Sequence, residues 1–306
     1  MADIADSRPQ DVVVVVVTTN AMPWIEPCLE SFAGVPTIVV DNGSTDGTLE
    51  LIRDRFPDVQ VIHSENRGLS HALNQGIRAS ESRYVLLMNS DAWAVGDAVA
   101  RLVAFADRRP EAAMIGPRLL NTDGSLQRSV RGFPSLWRLS TEYFFLRKLA
   151  PRSSLFNAFY AGDFDHDEVR EVDVVLGAVM FMRRTAMDQV GLLDEDFFIF
   201  SEETDWCYRF HQRGWQVLYF PGAEVYHVGG TTHQGRMYRE NLRGHLRYFD
   251  KHHGRRTAAR ARRLLIVSLR MRSKLFRGDR GRRYGEEADW LASGDVADLL
   301  ARPFLA

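Results

Sequence analysis

Residues 37–48 read TIVVDNGSTDGT, an apolar run that ends in the carboxylate of Asp41 and passes into a polar turn punctuated by two glycines. A short run with no polar alternation is what a strand covered on both faces requires, and the residues after it are turn chemistry leading into a helix. Ligands of open α/β sheets bind where the carboxyl ends of the strands emerge. Asp41 stands at such an edge, placed to accept hydrogen bonds from a base or ribose. The same residues also read as an ordinary strand-to-helix turn with Asp46 as the helix cap.

Outward from this stretch the pattern repeats. Val12–Val17, Thr37–Val40, Val59–His63 and Tyr84–Met88 read as strands, while Trp24–Phe32, Thr48–Arg55 and Ser70–Ser80 read as helices, so the chain starts β-α-β-α-β-α-β. Further on, Asp97–Arg108 reads as a helix, Val172–Met182 as a strand and Val217–Phe220 as another. Trp206 and Phe210 lie four apart and Gly214 stands at a stop position, which predicts a helix over Thr204–Arg213. Residues 136–167 are rich in aromatics without a clean period. At 306 residues with 45% hydrophobic content, the chain is expected to form one large α/β domain with a small appendage, not a disordered protein.

Composition excludes several classes. Two cysteines, Cys28 and Cys207, make neither a disulfide framework nor a cysteine zinc site, and point to a reducing, cytoplasmic setting. The opening MADIADSRPQ has no basic leader followed by an apolar stretch, and the valine run is far too short to span a bilayer. The near-zero net charge hides an asymmetry. Residues 251–283 hold thirteen basic residues against one acid, Asp279, which leaves 26 basic and 39 acidic residues elsewhere, a body of net charge −13. An acidic globule carries a basic tail.

Several polar clusters follow the strands. Val17 is followed by Thr18-Thr19-Asn20-Ala21-Met22-Pro23, with no glycine-rich dinucleotide loop and no P-loop, which disfavours NAD enzymes and P-loop NTPases. The absence of a basic residue there also ranks a nucleotidyltransferase low. Residues 66–77 place Asn66, Arg67 and Gly68 before a helix whose start suits an anion, whereas His71 reads as a surface residue. Tyr84–Met88 ends in Asn89-Ser90-Asp91, where Asp91 is placed to hold Mg²⁺ or Mn²⁺ against a diphosphate; turn chemistry explains the triplet as readily. Glu202, Glu203 and Asp205 crowd the amino end of the helix after Phe197-Phe198-Ile199-Phe200. Helix-start acids complement the dipole, yet mutual repulsion and burial here would also tune a proton acceptor. His227, among apolar residues and before a glycine pair, is a candidate imidazole ligand for the same cation.

Seven segments in order carry a resemblance: IVVDNGSTDGT (38–48), NRGLSHALNQGI (66–77), LLMNSDAWAV (86–95), DGSLQRSVRGFPS (123–135), VDVVLGAVMFMRR (172–184), VGLLDEDFFIFSEETDWCYRFHQRGW (190–215) and YFPGAEVYHVGG (219–230). Together they resemble the family-two glycosyltransferases, inverting enzymes of the GT-A fold, in the bacterial rhamnosyltransferase and galactofuranosyltransferase-like branch. The fold implied is α/β, a mostly parallel central sheet flanked by helices. It would occupy residues 1–232, about 10–95 as the nucleotide-binding half and about 96–232 as the acceptor half, with 233–306 as a basic helical extension.

The resemblance also implies roles. Thr18, Asn20, Asp41, Asn42, Ser44, Asn66 and Asn74 would surround the nucleotide of a dTDP- or UDP-linked sugar, with Asn89 in place of the first acid of a D-x-D-like triplet. Asp91 and His227 would hold Mg²⁺ or Mn²⁺, and Gly177-Ala178 would stand beside the sugar. The base would be Glu203, one methylene longer than the usual aspartate, with Glu202 or Asp205 as substitutes. Single displacement with one carboxylate base predicts inversion. The acceptor expected is a cell-envelope glycan or a lipid-linked saccharide. The basic tail, interrupted by Leu264, Leu265, Ile266, Val267, Leu269, Met271, Leu275 and Phe276, suits an anionic membrane surface and is too poor in aromatics for nucleic acid. The competing reading is a catalytically silent nucleotide- or glycan-binding partner of an assembly complex.

Overall fold

The structure, a computed structural model, describes residues 11–229 and 236–304. Its first strand is β1 (Val12–Thr18), in which Val12–Val16 are all at most 3% exposed. β-Branched side chains favour extended backbone, and cover on both faces calls for a central position in a sheet. The next elements alternate: α1 (Ile25–Glu30), β2 (Thr37–Asp41), α2 (Thr48–Arg55), β3 (Gln60–His63), α3 (Leu69–Arg78) and β4 (Tyr84–Asn89). β1 lies between β2 and β4, parallel to both, and β3 extends the sheet beyond β2. Gly76 lets α3 lie close on this sheet, since a Cβ there would stand 2.3 Å from Val15 Cγ1.

The chain continues through β5 (Ala92–Ala94), α4 (Ala98–Asp107), β6 (Ala112–Leu120), β7 (Leu126–Gln127), β8 (Val130–Arg131), α5 (Leu136–Tyr143), β9 (Arg170–Glu171), β10 (Val174–Val175), β11 (Val179–Arg183), α6 (Arg184–Val190), α7 (Glu202–Gln212) and β12 (Gln216–His227). The sheet order is β3-β2-β1-β4-β11-β6-β12-β5, with β7 on β6 and β9 on β12. It is α/β and mixed: β11 runs antiparallel to β4 and β6, and β5 antiparallel to β12.

Two strands differ from the sequence expectation. Val172–Met182 is not one strand: it breaks at Leu176-Gly177-Ala178, because Leu176 N bonds Ser129 O (2.8 Å) while Ala178 O accepts from Asn89 N (2.9 Å). β12 does not stop at Phe220. It passes through Pro221-Gly222 in a bulge, losing register between Phe220 and Glu224, and resumes to end at His227.

Two compact units result. The described part of one comprises 11–130, 166–198 and 202–229 and contains the ten-stranded sheet. The described part of the other comprises 131–165, 199–201 and 236–304, with α5, α8 (Arg236–Leu275), α9 (Gly278–Ala292) and α10 (Val296–Ala301). The boundary expected at 232 lies outside the described residues, and segment 131–165 groups with the C-terminal helices. Gly254, with φ 79° and ψ 161°, divides α8 into two helical stretches. In the second stretch Ala258, Ala261, Leu265 and Leu269 are fully buried, so much of the tail's apolar character serves the core of its own unit. Among the described residues, no helix is long and apolar enough to cross a membrane.

Candidate active site

Register places the first group of residues. Thr18 pairs with Asp41 and Val17 with Asn89, so the carboxyl ends of three neighbouring strands form one row. The loops leaving β1 and β2 are stitched to one another. Asn42 N donates to Thr18 O (2.9 Å), Asn20 N to Ser44 Oγ (2.9 Å) and Thr45 N to Asn20 Oδ1 (2.8 Å). Asn20 holds a left-handed φ of 53°, which asparagine tolerates. Asp41 is buried and spends its carboxylate on Gly43 N (3.0 Å) and Ser44 N (3.1 Å), shaping the turn.

Thr18, Asn20, Asp41, Asn42 and Ser44 are therefore brought together. Thr18 Oγ1 and Asn42 Oδ1 are buried with no hydrogen-bond partner. A buried polar atom left unsatisfied costs about 1–3 kcal/mol, which a polar ligand at these strand ends would recover.

Two further donor contacts are expected, Asn66 and Asn74. Asn66 is exposed. Asn74 is buried and fully engaged: its Nδ2 donates to Leu193 O (2.9 Å) and Glu195 Oε1 (2.9 Å), and its Oδ1 accepts from Leu193 N (3.1 Å). It ties α3 to residues 193–195. His71 joins the same clamp, with Nδ1 at 2.6 Å from Glu195 Oε2, and is not a bare surface residue. Hydrogen bonds from Asn74 and His71 hold the Glu195 carboxyl down at about 2. At the start of α3, Leu69 N donates to Phe198 O (2.7 Å), so that amide is capped by the chain itself. Gly68 is required there: its φ is 106°, and a Cβ would stand 2.6 Å from Phe198 O.

The second group forms where β4, β5 and β12 meet. His227 pairs with Ala92 across β5–β12, which sets its imidazole beside Asp91, Nε2 to Oδ1 at 3.4 Å. Asn89 Nδ2 is also 3.4 Å from His227 Nε2. The loop after β12 closes on the aspartate, with Val228 N donating to Asp91 O (3.0 Å) and Gly229 N to Asp91 Oδ2 (3.2 Å). Burial pushes the Asp91 carboxyl up, but the hydrogen bond and charge of His227, with the Gly229 amide, outweigh it and hold the group below its ordinary value.

Gln127 is the residue that sequence reasoning missed. Its Nε2 donates to His227 O (3.0 Å) and Asn121 Oδ1 (3.0 Å), which fixes the amide so that Oε1 faces His227 Nδ1 at 2.6 Å. That contact assigns a proton to Nδ1, so Nε2 faces Asp91 as the second N–H of an imidazolium or, in the neutral ring, as a lone pair. Two acceptors 3.4 Å apart need a proton or a cation between them. An imidazole nitrogen and a carboxylate oxygen are suitable donors for Mn²⁺ or Mg²⁺, so these residues fit the expected ion. Among the described residues no cluster of three His, Cys, Asp or Glu occurs, so other oxygens would complete such a shell.

The third group is the acid pair opening α7, which starts at Glu202, two residues earlier than expected. Glu202 is 3% exposed, and its Oε2 has no hydrogen-bond partner. Burial, and then the charge of Glu203, raise its pKa well above the ordinary range. Of the pair, Glu202 is therefore the member that burial and its charged neighbour drive toward the protonated form. Asp205 points elsewhere. It is fully buried and ion-paired with Arg209 at 2.8 Å, while Arg209 also donates to Val190 O and Leu192 O; together they latch α7 to residues 190–192.

Gly177-Ala178 connects the second and third groups. Asn89 N donates to Ala178 O, and a Cβ on Gly177 would lie 3.6 Å from Glu203 Cβ and 3.7 Å from Glu202 Oε1. Two residues of backbone thus separate the Asn89–Asp91–His227 group from the acid pair.

Comparison with known proteins identifies the family and the fold. The family model described as "Glycosyl transferase family 2" matches residues 13–164. The N-acetylglucosaminyl-diphospho-decaprenol L-rhamnosyltransferase of Mycobacterium tuberculosis is 34% identical over 232 residues, covering 70% of this chain and 75% of that protein. Among solved structures, GalNAc-T7 with UDP, GalNAc and Mn²⁺ aligns with a TM-score of 0.60 at 16% identity, over 98% of this chain and 59% of the other. The mannosyltransferase PcManGT of Pyrobaculum calidifontis, in complex with GDP-Man and Mn²⁺, aligns with a TM-score of 0.55 at 17% identity, over 96% and 79%. Identities this low establish the shared fold.

Proposed function

The chain belongs to glycosyl transferase family 2 and is a glycosyltransferase, and from that premise we propose that it transfers a sugar from a dTDP- or UDP-linked donor, with inversion, to a lipid-linked saccharide or related cell-envelope glycan. Rhamnose is the sugar favoured, because the mycobacterial relative is named for rhamnosyl transfer to N-acetylglucosaminyl-diphospho-decaprenol. The observation that carries the reading is the Gly177-Ala178 bridge, which supports the acid pair on one side and the Asn89–Asp91–His227 group on the other.

Each group then has a task. The unsatisfied Thr18 Oγ1 and Asn42 Oδ1 bind the nucleoside, on loops held by Asn20, Asp41 and Ser44. Asp91 and His227 hold the divalent cation, which when bound supplies electrostatic stabilisation to the departing diphosphate. Glu203 accepts the proton of an acceptor hydroxyl as that oxygen bonds to the anomeric carbon and the carbon–diphosphate bond breaks, its electrons leaving with the diphosphate. One base and no carboxylate nucleophile give inversion. Protonated Glu202 keeps a second negative charge out of the pocket.

The test is Glu203→Gln. Removing a general base costs about 10²–10⁴ in rate. Transfer should fall by that order in the variant while thermal stabilisation by UDP or dTDP with Mn²⁺ stays at the wild-type value. Should the unmodified protein bind nucleotide yet transfer or hydrolyse nothing with any sugar donor, a silent binding protein replaces this reading.

A further inference from the structure

Beyond Gly254 the second stretch of α8 presents one exposed face made of Arg256, Arg260, Arg263, Val267, Arg270 and Lys274. The spacing alternates four and three residues, which keeps all six on one side of a helix. From Arg256 to Lys274 the stripe runs roughly 27 Å at about 1.5 Å per residue. Five positions are cations and none is acidic. Among the described residues, no carboxylate comes within 4 Å of any of the five, whereas Arg255 and Arg282, off the stripe, pair with Asp250 and Asp279. The opposite face, Ala258, Ala261, Leu265 and Leu269, is fully buried, and Arg262 and Arg272 anchor the helix by donating to Leu291 O and Tyr143 O.

The unit carrying this helix contains 23 Lys and Arg against 11 Asp and Glu, net +12, whereas the sheet unit contains 16 against 29, net −13. A straight row of unpaired cations in a basic unit suits a broad anionic surface. Val267, 58% exposed in the middle of the row, and Leu275, 62% exposed at its end, add apolar contact that the headgroup boundary of a bilayer accepts and a phosphodiester backbone does not use.

We propose that the Arg256–Lys274 stripe is a docking surface for an anionic lipid bilayer, on which the helix lies flat and is held by charge. This deepens the reading of a lipid-linked acceptor and rests on it for its purpose. It also replaces insertion of an amphipathic face, because Leu265 and Leu269 are committed to the protein core. Binding by charge is screened by salt.

The test uses the full chain and vesicles of phosphatidylcholine with or without phosphatidylglycerol, read by co-sedimentation. The wild type should partition onto the anionic vesicles only, and raised salt should release it. Each cation near such a surface is worth about a factor of five, so Arg256→Gln, Arg260→Gln and Arg263→Gln together should lower partitioning roughly 100-fold. Neutralising three exposed arginines of the sheet unit, Arg53, Arg101 and Arg108, should leave it unchanged. An unchanged thermal midpoint establishes that the stripe variant folds. Wild-type indifference to phosphatidylglycerol, retention of binding in the stripe variant, or tighter binding to duplex DNA than to vesicles overturns the proposal. The stripe variant should still transfer sugar to a short-chain, water-soluble acceptor. A protein that partitions as expected but transfers nothing refutes the enzymatic reading and leaves the surface standing.

Discussion

Asp91, half-buried, and Glu202, buried, are carboxyl groups of the sheet unit, and burial is the largest influence on each, yet their pKa values move in opposite directions. Asp91 has an imidazole at 3.4 Å and the Gly229 amide on its other oxygen, so it stays an anion. Glu202 has another carboxylate as its charged neighbour and an oxygen with no partner, so it keeps its proton. The difference lies in what each meets after leaving water. A residue type therefore says less about chemical role than the partners the fold supplies.

This contrast can be tested from its strongest consequence downward. Asp91→Asn keeps the shape but removes the charge facing His227; it should cost about 10²–10³ in transfer rate, comparable to losing a strong transition-state contact. In the same variant Mn²⁺ should no longer raise the melting temperature, and retained Mn²⁺ stabilisation would show that the ion binds elsewhere.

Gln127→Ala leaves Asp91 and His227 in place but frees the imidazole to turn. A lost supporting hydrogen bond of this kind typically weakens metal affinity 10–100-fold, which a Mn²⁺ titration of activity would measure. An unaltered titration would mean that Gln127 serves only the sheet.

The smallest effect is expected at Glu202. Its pKa is raised in the folded state, so its stabilising contribution is complete below the unfolded value and drains away as pH rises toward the folded one. Glu202→Gln should therefore flatten the stability–pH curve, gaining on the wild type by at most about 1.4 kcal/mol per pH unit above the unfolded value. Parallel melting curves for the two proteins from acid to neutral pH would place the proton on Glu203 instead.

Much of the sheet was readable because Val12–Val17, Thr37–Val40 and Tyr84–Met88 are uniformly apolar, and only a central strand uses such a run. The row of Thr18, Asp41 and Asn89 followed from strand ends. What remained hidden depended on distant partners. Asn74 looks like a polar helix residue until Leu193 and Glu195, about 120 positions later, occupy both ends of its amide. Gln127 bears no charge and reaches His227 from 100 positions away. Asp205 was different, since Arg209 at the i+4 position already offered an ion pair. The tail's composition left its orientation open, because a helix dividing its apolar residues between a buried and an exposed side holds the same residues as one facing lipid.

The Gly177-Ala178 link carries a last consequence. On the reading proposed here, the gap between where the diphosphate is gripped and where the hydroxyl proton departs is a main-chain dimension, set by one carbonyl and one Cα. Side chains around the pocket can then drift toward other sugars while the calliper itself stays at one opening, and only an inserted or deleted residue at that crossing would reset it.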